Sequence, residues 1–111
     1  MKSENKVSVV TGGASGMGAA TVRAFAAAGS IVTLVDLDEK AAFRVAGETG
    51  ATAVIGDVSD SAFCDRIIDD VVTACGRVDI LVNNAGTDAE GTPFAERIDD
   101  FDFEIFNSFV I

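Results

Sequence analysis

Residues 11–18 read Thr-Gly-Gly-Ala-Ser-Gly-Met-Gly, and Asp36 follows at the end of the next apolar run. The stretch 6–10 before the glycines predicts a short buried strand, and residues 16–28 predict a helix. A strand, a glycine-rich turn, a helix and a second strand that ends in an acid form a unit that binds a dinucleotide. The glycines allow a sharp turn and a close approach of the pyrophosphate, which then lies on N–H groups at the helix N-terminus. We therefore predict a dinucleotide site here.

Length and charge restrict the classes of protein and partner. The 111 residues suffice for one domain, and 49% hydrophobic with 23% charged residues indicates a globular chain. Acidic residues number 18 and basic residues 8, giving a net charge of −10. Nucleic acids and anionic membrane surfaces both attract basic patches, so we expect neither as a partner. The sequence contains no apolar run long enough for a membrane span and no apolar signal core, which favours a cytoplasmic protein.

The two cysteines predict neither a disulfide nor a metal site. Cys64 and Cys75 fall in one predicted helix, roughly 16 Å apart along its axis, which is too far for a disulfide. The chain has no histidine, and the spacing of the cysteines does not match a zinc pattern. We interpret both as small core residues and expect no metal.

Apolar runs and helical segments alternate along the chain. The sequence predicts strands at 6–11, 31–35, 51–55 and 78–82, and helices at 16–28, 39–48, 61–75 and from about 99. Asp38 is expected to cap the second helix, and Ser59 or Asp60 the third. Strands that are apolar on both faces and joined by helices indicate a parallel sheet covered on both sides. Right-handed crossovers then give the order 3-2-1-4.

The predicted fold is therefore α/β: a partial Rossmann-type, doubly wound parallel sheet, truncated after the fourth helix. Residues 1–111 would form a single NAD-binding half-domain. The ligand crevice of such a sheet lies beyond the carboxyl ends of its strands. The candidate polar groups of the chain all follow strands, at the glycine turn, Asp36, Asp57 and Asn84.

Asp36 favours NAD over NADP. Taken alone, an acid here could be a helix cap or a turn residue. After the second strand of a dinucleotide-binding unit, its carboxylate would accept hydrogen bonds from the ribose hydroxyls and repel a 2′-phosphate. Positions 15 and 37, which could carry a basic residue for that phosphate, are Ser15 and Leu37.

Three motifs together resemble the short-chain dehydrogenase/reductase family. They are the Thr-Gly-x-x-x-Gly-x-Gly turn at 11–18, the Asp57-Val58 pair after the third strand, and Asn83-Asn84-Ala85-Gly86 after the fourth. The run Gly-Arg-Val-Asp-Ile-Leu-Val at 76–82 is a typical lead-in to the last of these. The motifs occur in the family's order and at its intervals, so the resemblance covers residues 5–98.

The resemblance implies roles for particular residues. Asp57 and Val58 would contact the adenine, and Asn84 would shape the nicotinamide side of the site, although the Asn-Asn-Ala-Gly run could equally serve as a turn that ends a strand. The full cofactor-binding set predicted from the residues and the resemblance is Gly12, Ser15, Gly16, Met17, Gly18, Asp36, Leu37, Asp57, Val58, Asn84, Ala85 and Gly86.

The resemblance also indicates what these residues do not supply. Family members use a catalytic Ser and a Tyr-x-x-x-Lys pair, in which the Tyr is the general acid/base, whereas this chain contains no Tyr. The resemblance also implies a role for an Asn on the fourth helix, which many members use, and Asn107 is the one candidate for it. Counted from the Phe-Asp dipeptide at 101–102, Asn107 lies one residue earlier than the family's Asn. Three hypotheses follow: the cofactor-binding part of an NAD-dependent oxidoreductase of alcohols or ketones, inactive alone; a non-catalytic NAD-binding or subunit-interaction module; or a truncated gene product.

The segment 101–111 carries seven apolar residues that do not keep to one helical stripe. We predict a helix that is apolar all round and needs a partner to bury it. The fourth strand is predicted to have only the first strand as a neighbour, so its other edge is open. The apolar helix and this open edge together favour self-association. The family pattern fades at Asn107, as a frameshift near codon 103 would produce, and a Tyr-x-x-x-Lys sequence in a shifted downstream frame would support that history.

Overall fold

The structure, a computed structural model, describes residues 5–84 in full and the backbone of residues 104–107. Its strands are β1 (Val7–Thr11), β2 (Ile31–Asp36), β3 (Thr52–Ile55), β4 (Ile80–Asn83) and β5 (Glu104–Asn107). Its helices are α1 (Gly16–Ala27), α2 (Glu39–Thr49) and α3 (Ser61–Cys75). The first seven predicted elements are thus present. The largest shift is in β4, which begins and ends later than predicted.

All strand pairs are parallel, and the sheet order is β3-β2-β1-β4-β5. This confirms the predicted order 3-2-1-4 for the first four strands. Every residue of β1 is buried, because this strand is central and has helices on both of its faces. Because the strands are parallel, their carboxyl ends lie at the same end of the sheet, and the residues that follow β1, β2, β3 and β4 come together there.

Local capping explains where α2 and α3 begin and end. The Asp38 carboxylate accepts the N–H of Ala41 at 3.1 Å, and the Asp60 carboxylate accepts that of Phe63 at 3.2 Å. Each bond satisfies a donor that the first helical turn leaves without an intrahelical acceptor. Of the two candidate caps for α3, Asp60 is therefore the one used. Gly50 and Gly76 end the helices with φ of 80° and 85°, in the left-handed region that favours glycine.

The core has two parts, one on each face of the sheet. One packs α1 and α2 against the sheet, and its members include Val10, Val22, Phe25, Leu34 and Val45. The other packs α3 against the opposite face, and its members include Val9, Val35, Phe63, Ile68 and Leu81. Among the described residues, no helix is long and apolar enough to cross a membrane.

Both cysteines are free thiols on α3. Cys64 is fully buried, as predicted for a core residue, whereas Cys75 is only half-buried. Burial raises the pKa of the Cys64 thiol to about 11, and the negative charges of Asp65, Asp60 and Asp57 add to this effect. The Cys64 thiol is therefore protonated at neutral pH and is a poor nucleophile.

The predicted helix from about residue 99 is wrong over residues 104–107, which form strand β5. β5 lies beside β4, with Ile80 opposite Glu104 and Asn83 opposite Asn107, so the predicted open edge of β4 is also wrong. The segment has two apolar residues, Ile105 and Phe106, which are too few to define a helical stripe, and a parallel partner for β4 satisfies its backbone groups. The remaining residues of the 101–111 prediction lie outside the described part of the chain.

Candidate cofactor-binding site

The glycine-rich turn leaves the carboxyl end of β1 and enters α1. Gly12 and Gly16 have φ of 64° and 56°, values that side chains with a Cβ rarely adopt. The Gly12 N–H donates to the carbonyl oxygen of Val35 at 2.8 Å, which attaches the turn to the end of β2. These two glycines therefore set the sharp path of the backbone from strand to helix.

Two other glycines of the turn allow close packing. A Cβ on Gly18 would overlap the carbonyl oxygen of Gly12 and lie 2.6 Å from the Asn84 amide nitrogen. A Cβ on Gly13 would lie 2.7 Å from the Cβ of Leu34. Because these neighbours are backbone or core atoms, the first turn of α1 can sit this close to the sheet only with glycine at both positions.

The N-terminus of α1 suits an anionic group. Ser15 precedes the helix without a side-chain capping hydrogen bond, and no acidic residue lies in the first turn. A Cβ on Gly16 would meet no atom within 4 Å, so space is open beside the turn. Helical N–H groups without intrahelical acceptors, a favourable helix dipole and open space are what a pyrophosphate requires. The residues of this turn therefore fit the diphosphate of a dinucleotide.

Asp36 ends β2 beside this turn. Its Oδ2 accepts the N–H of Ala14 at 3.0 Å, and its Oδ1 accepts the N–H of Asp38 at 3.0 Å. Its main-chain oxygen accepts the N–H of Gly56 at 3.1 Å. Asp36 thus contacts the glycine turn, the start of α2 and the turn after β3. Each carboxylate oxygen has a second lone pair for a further donor.

The predicted adenine-contacting pair lies in the turn between β3 and α3. The Asp57 carboxylate accepts both the N–H of Ser59 at 2.9 Å and its hydroxyl at 2.7 Å. These hydrogen bonds lower the pKa of Asp57, so it is ionised at neutral pH. Val58 is half-buried, and its carbonyl oxygen accepts the Cys64 thiol at 3.2 Å. The turn is therefore fixed from both its exposed and its buried side.

The carboxyl ends of β1 and β4 are joined through the buried hydroxyl of Thr11. It accepts the N–H of Asn84 at 2.9 Å and lies within donating distance of Asn83 Oδ1, at 3.2 Å, and of the Val82 carbonyl, at 3.4 Å. The Asn84 side chain donates to the carbonyl oxygen of Gly12 at 3.4 Å. Asn84 is therefore held against the glycine turn.

The other predicted site residues differ in how far the structure describes them. Met17 and Leu37 flank the turn with exposed apolar side chains, 55% and 70% accessible. Ala85 and Gly86 lie outside the described residues. Asn107 lies at the carboxyl end of β5, in register with Asn83, and not on a helix. Within the described part of the chain, no group of three or more His, Cys, Asp or Glu side chains could hold a metal ion.

Sequence reasoning missed two groups of the site. The Thr11 hydroxyl connects two strands. Its position as the first residue of the 11–18 motif is the one feature of the sequence that could have indicated this role. The Ala14 N–H, which Asp36 accepts, had no signal, because the bond joins residues 22 positions apart through the fold.

A glycine turn, an acid and an amide at the ends of adjacent parallel strands define a nucleotide-binding α/β protein. The short chain dehydrogenase family matches the sequence over residues 6–107. Since this match spans most of the chain, the chain belongs to the short-chain dehydrogenase family, which binds a nicotinamide dinucleotide.

Relatives and solved structures agree with this assignment. The chain is 40% identical over 104 residues to meso-2,3-butanediol dehydrogenase of Serratia marcescens, covering 91% of this chain and 41% of that protein. It is 42% identical over 88 residues to D-threitol dehydrogenase of Mycolicibacterium smegmatis, covering 75% of this chain and 34% of that protein. The chain thus spans about two fifths or less of the curated relatives' length.

Two solved structures have the same fold. A 3-ketoacyl-(acyl-carrier-protein) reductase of Brucella melitensis, complexed with NADH, matches with a TM-score of 0.71 and 45% identity, over 75% of this chain and 35% of that chain. A short chain dehydrogenase of Bacillus anthracis matches with a TM-score of 0.84 over 96% of this chain and 56% of that chain. Its 22% identity makes it a match of fold alone.

Proposed function

We propose that residues 1–111 are a single half-domain that binds NAD in preference to NADP, as the cofactor-binding part of an oxidoreductase acting on alcohols or ketones. The observation that carries the proposal is Asp36, placed at the end of β2 and held beside the glycine turn at 3.0 Å from the Ala14 nitrogen. Its remaining lone pairs suit the two hydroxyls of an adenosine ribose. A 2′-phosphate there would face a carboxylate.

The surroundings of Asp36 support the same preference. Ser15 and Leu37 are both exposed beside it and carry no positive charge that could receive a 2′-phosphate. The bound nicotinamide would supply hydride transfer, while the residues described here bind and orient the dinucleotide. The Serratia and Mycolicibacterium relatives, both named as dehydrogenases, support alcohols and ketones as the substrate class.

Calorimetric titration of the folded chain with NAD and with NADP tests the preference. We expect NAD to bind more tightly, and the double variant Asp36→Ala with Leu37→Arg to narrow or reverse the ratio of the two affinities. Lys40→Ala, on the exposed face at the start of α2, is the control and should leave the ratio unchanged. Equal binding of NAD and NADP by the unmodified chain would refute the role of Asp36.

A second candidate is a non-catalytic module that binds NAD and associates with other subunits or with itself. The observation that favours it is β5, which pairs with β4 on one side and is the last strand of the sheet among the described residues. Backbone groups on the outer edge of a sheet are a template for another strand. Sedimentation velocity tests self-association, and a chain that sediments as a monomer at every concentration would rule self-association out.

A further inference from the structure

We propose that Asp36 is a positioning residue for the glycine turn as well as a ribose-binding residue, and that its carboxylate holds the turn in the shape that accepts a pyrophosphate. The proposal rests on the function proposed above, because the turn is a cofactor site only if the chain binds a dinucleotide. The Asp36 side chain would then have two tasks, binding the ribose and holding the turn, and a substitution that changes cofactor preference can affect each of them differently.

The geometry places Asp36 where three segments of the site meet. Its Oδ2 accepts the Ala14 N–H, its Oδ1 accepts the Asp38 N–H, and its main-chain oxygen accepts the Gly56 N–H. The carboxylate is thus oriented by two backbone donors before any ligand arrives. One bond to each carboxylate oxygen restricts the rotation of the carboxylate, which is the preorganisation that a bidentate contact to a ribose needs.

The Ala14 N–H depends on this bond. Ala14 is 3% exposed, so water reaches its backbone poorly. Its position in the chain lies between Gly12 and Gly16, whose positive φ values give the turn its path. The Gly12 and Gly13 N–H groups are both held by the Val35 carbonyl, at 2.8 and 3.3 Å. The Asp36 side chain therefore provides the next attachment of the turn to β2, and a buried N–H that loses its acceptor destabilises the arrangement.

Hydrogen exchange of the Ala14 amide in the ligand-free chain tests this directly. In Asp36→Ala, we expect Ala14 to exchange roughly tenfold to a hundredfold faster, the factor equivalent to losing a hydrogen bond to a charged acceptor. The Val10 and Leu34 amides, in the strands beneath the turn, should exchange at the original rate. Glu39→Ala is the matched control, because it removes an exposed carboxylate nearby that makes none of the hydrogen bonds described for the turn.

Asp36→Asn separates the positioning role from the charge. Its amide oxygen can still accept the Ala14 N–H, although it cannot accept from both Ala14 and Asp38 as two carboxylate oxygens do. We expect Asn to protect Ala14 better than Ala does, and to lose less affinity for NAD. A role in charge alone would make the two variants equal in NAD affinity.

Ala14 exchange in Asp36→Ala that matches the Glu39→Ala control would overturn the proposal, as would faster exchange spread through Val10 and Leu34, which would indicate a general loss of stability. If Asp36→Ala does not fold, the Asn variant decides by the same comparison. Since exchange is measured without cofactor, a chain that failed to bind NAD would refute the proposed function while leaving the exchange result intact.

Discussion

Gly18 lies so close to Gly12 that a Cβ atom on Gly18 would overlap the Gly12 carbonyl oxygen. This contact joins the first turn of α1 to the end of β1, and the Asn84 amide bonds to the same oxygen at 3.4 Å. Three segments thus meet at one backbone carbonyl. The spacing of the glycines in the 11–18 motif therefore has a packing cause in this chain, in addition to the space it leaves for a ligand.

Gly18→Ala should destabilise the fold by roughly 3 kcal/mol, because the atom that the new methyl group meets is backbone and cannot rotate away. Gly47→Ala is the matched control. Gly47 is an exposed residue of α2 where a Cβ would meet nothing within 4 Å, so Ala there should raise the stability by about 0.4–1 kcal/mol. Urea unfolding of both variants measures the difference, and an equal effect would contradict the close contact.

Removal of the Thr11 hydroxyl should weaken the junction of β1 and β4. Thr11→Val keeps the shape of the buried side chain but removes the acceptor of the Asn84 N–H and the donor near Asn83. We expect a loss of about 1–3 kcal/mol in unfolding free energy. Thr11→Ser retains the hydroxyl and should lose only about 1 kcal/mol, from one buried methyl group. Thermal or urea unfolding that ranked Ser below Val would contradict this role.

Asp79 links stability to pH at the amino end of the sheet. It accepts the Val7 N–H at 2.8 Å and the Arg77 guanidinium at 2.7 Å. Burial raises the pKa of Asp79, but the hydrogen bonds from Val7 and Arg77 and the charges of Arg77 and Lys6 outweigh it, so the pKa lies below its ordinary value. The folded state therefore favours the ionised form. The resulting stability is complete above the ordinary pKa of about 3.9 and is lost as the pH falls through the lower folded pKa.

Asp79→Asn should accordingly destabilise the chain at pH 7, by about 1 kcal/mol, and the difference from the unmodified chain should shrink as the pH falls below about 4. Asp70→Asn, at an exposed position of α3, removes the same charge and should show a small difference at every pH. Urea titrations across this range measure both. A difference for Asp79→Asn that stayed constant down to the lowest pH would show that its ionisation contributes no stability.

The accuracy of the sequence predictions depended on how local the determining interactions were. Asp38 and Asp60 cap helices that begin directly after them, and the local pattern predicted the Asp38 cap, although it left Ser59 and Asp60 as alternatives for α3. The order of the first four strands followed from alternation and handedness. The segment 104–107 was predicted wrongly because its apolar residues suit either a helix or a strand, and the pairing with β4 decides between them. The Asp36–Ala14 and Asp79–Val7 bonds join distant positions, and no local pattern encodes them.

The 111-residue chain should bind NAD without catalysing NAD-linked oxidation or reduction. Hydride transfer to a ketone requires a proton for its oxygen, and general acid catalysis contributes roughly 10²–10⁴-fold to such a step. The sequence contains no Tyr and no His, and its buried Cys64 has a pKa of about 11. The carboxylates described at the site, Asp36 and Asp57, act as hydrogen-bond acceptors for backbone or hydroxyl donors. A screen of alcohols with NAD and of ketones with NADH, followed at the nicotinamide absorbance, should give no rate above background.

The control is Gly16→Trp, which fills the open space beside the turn at a residue with a φ of 56°. Turnover by the unmodified chain that this variant abolished would locate catalysis in these residues and contradict the prediction.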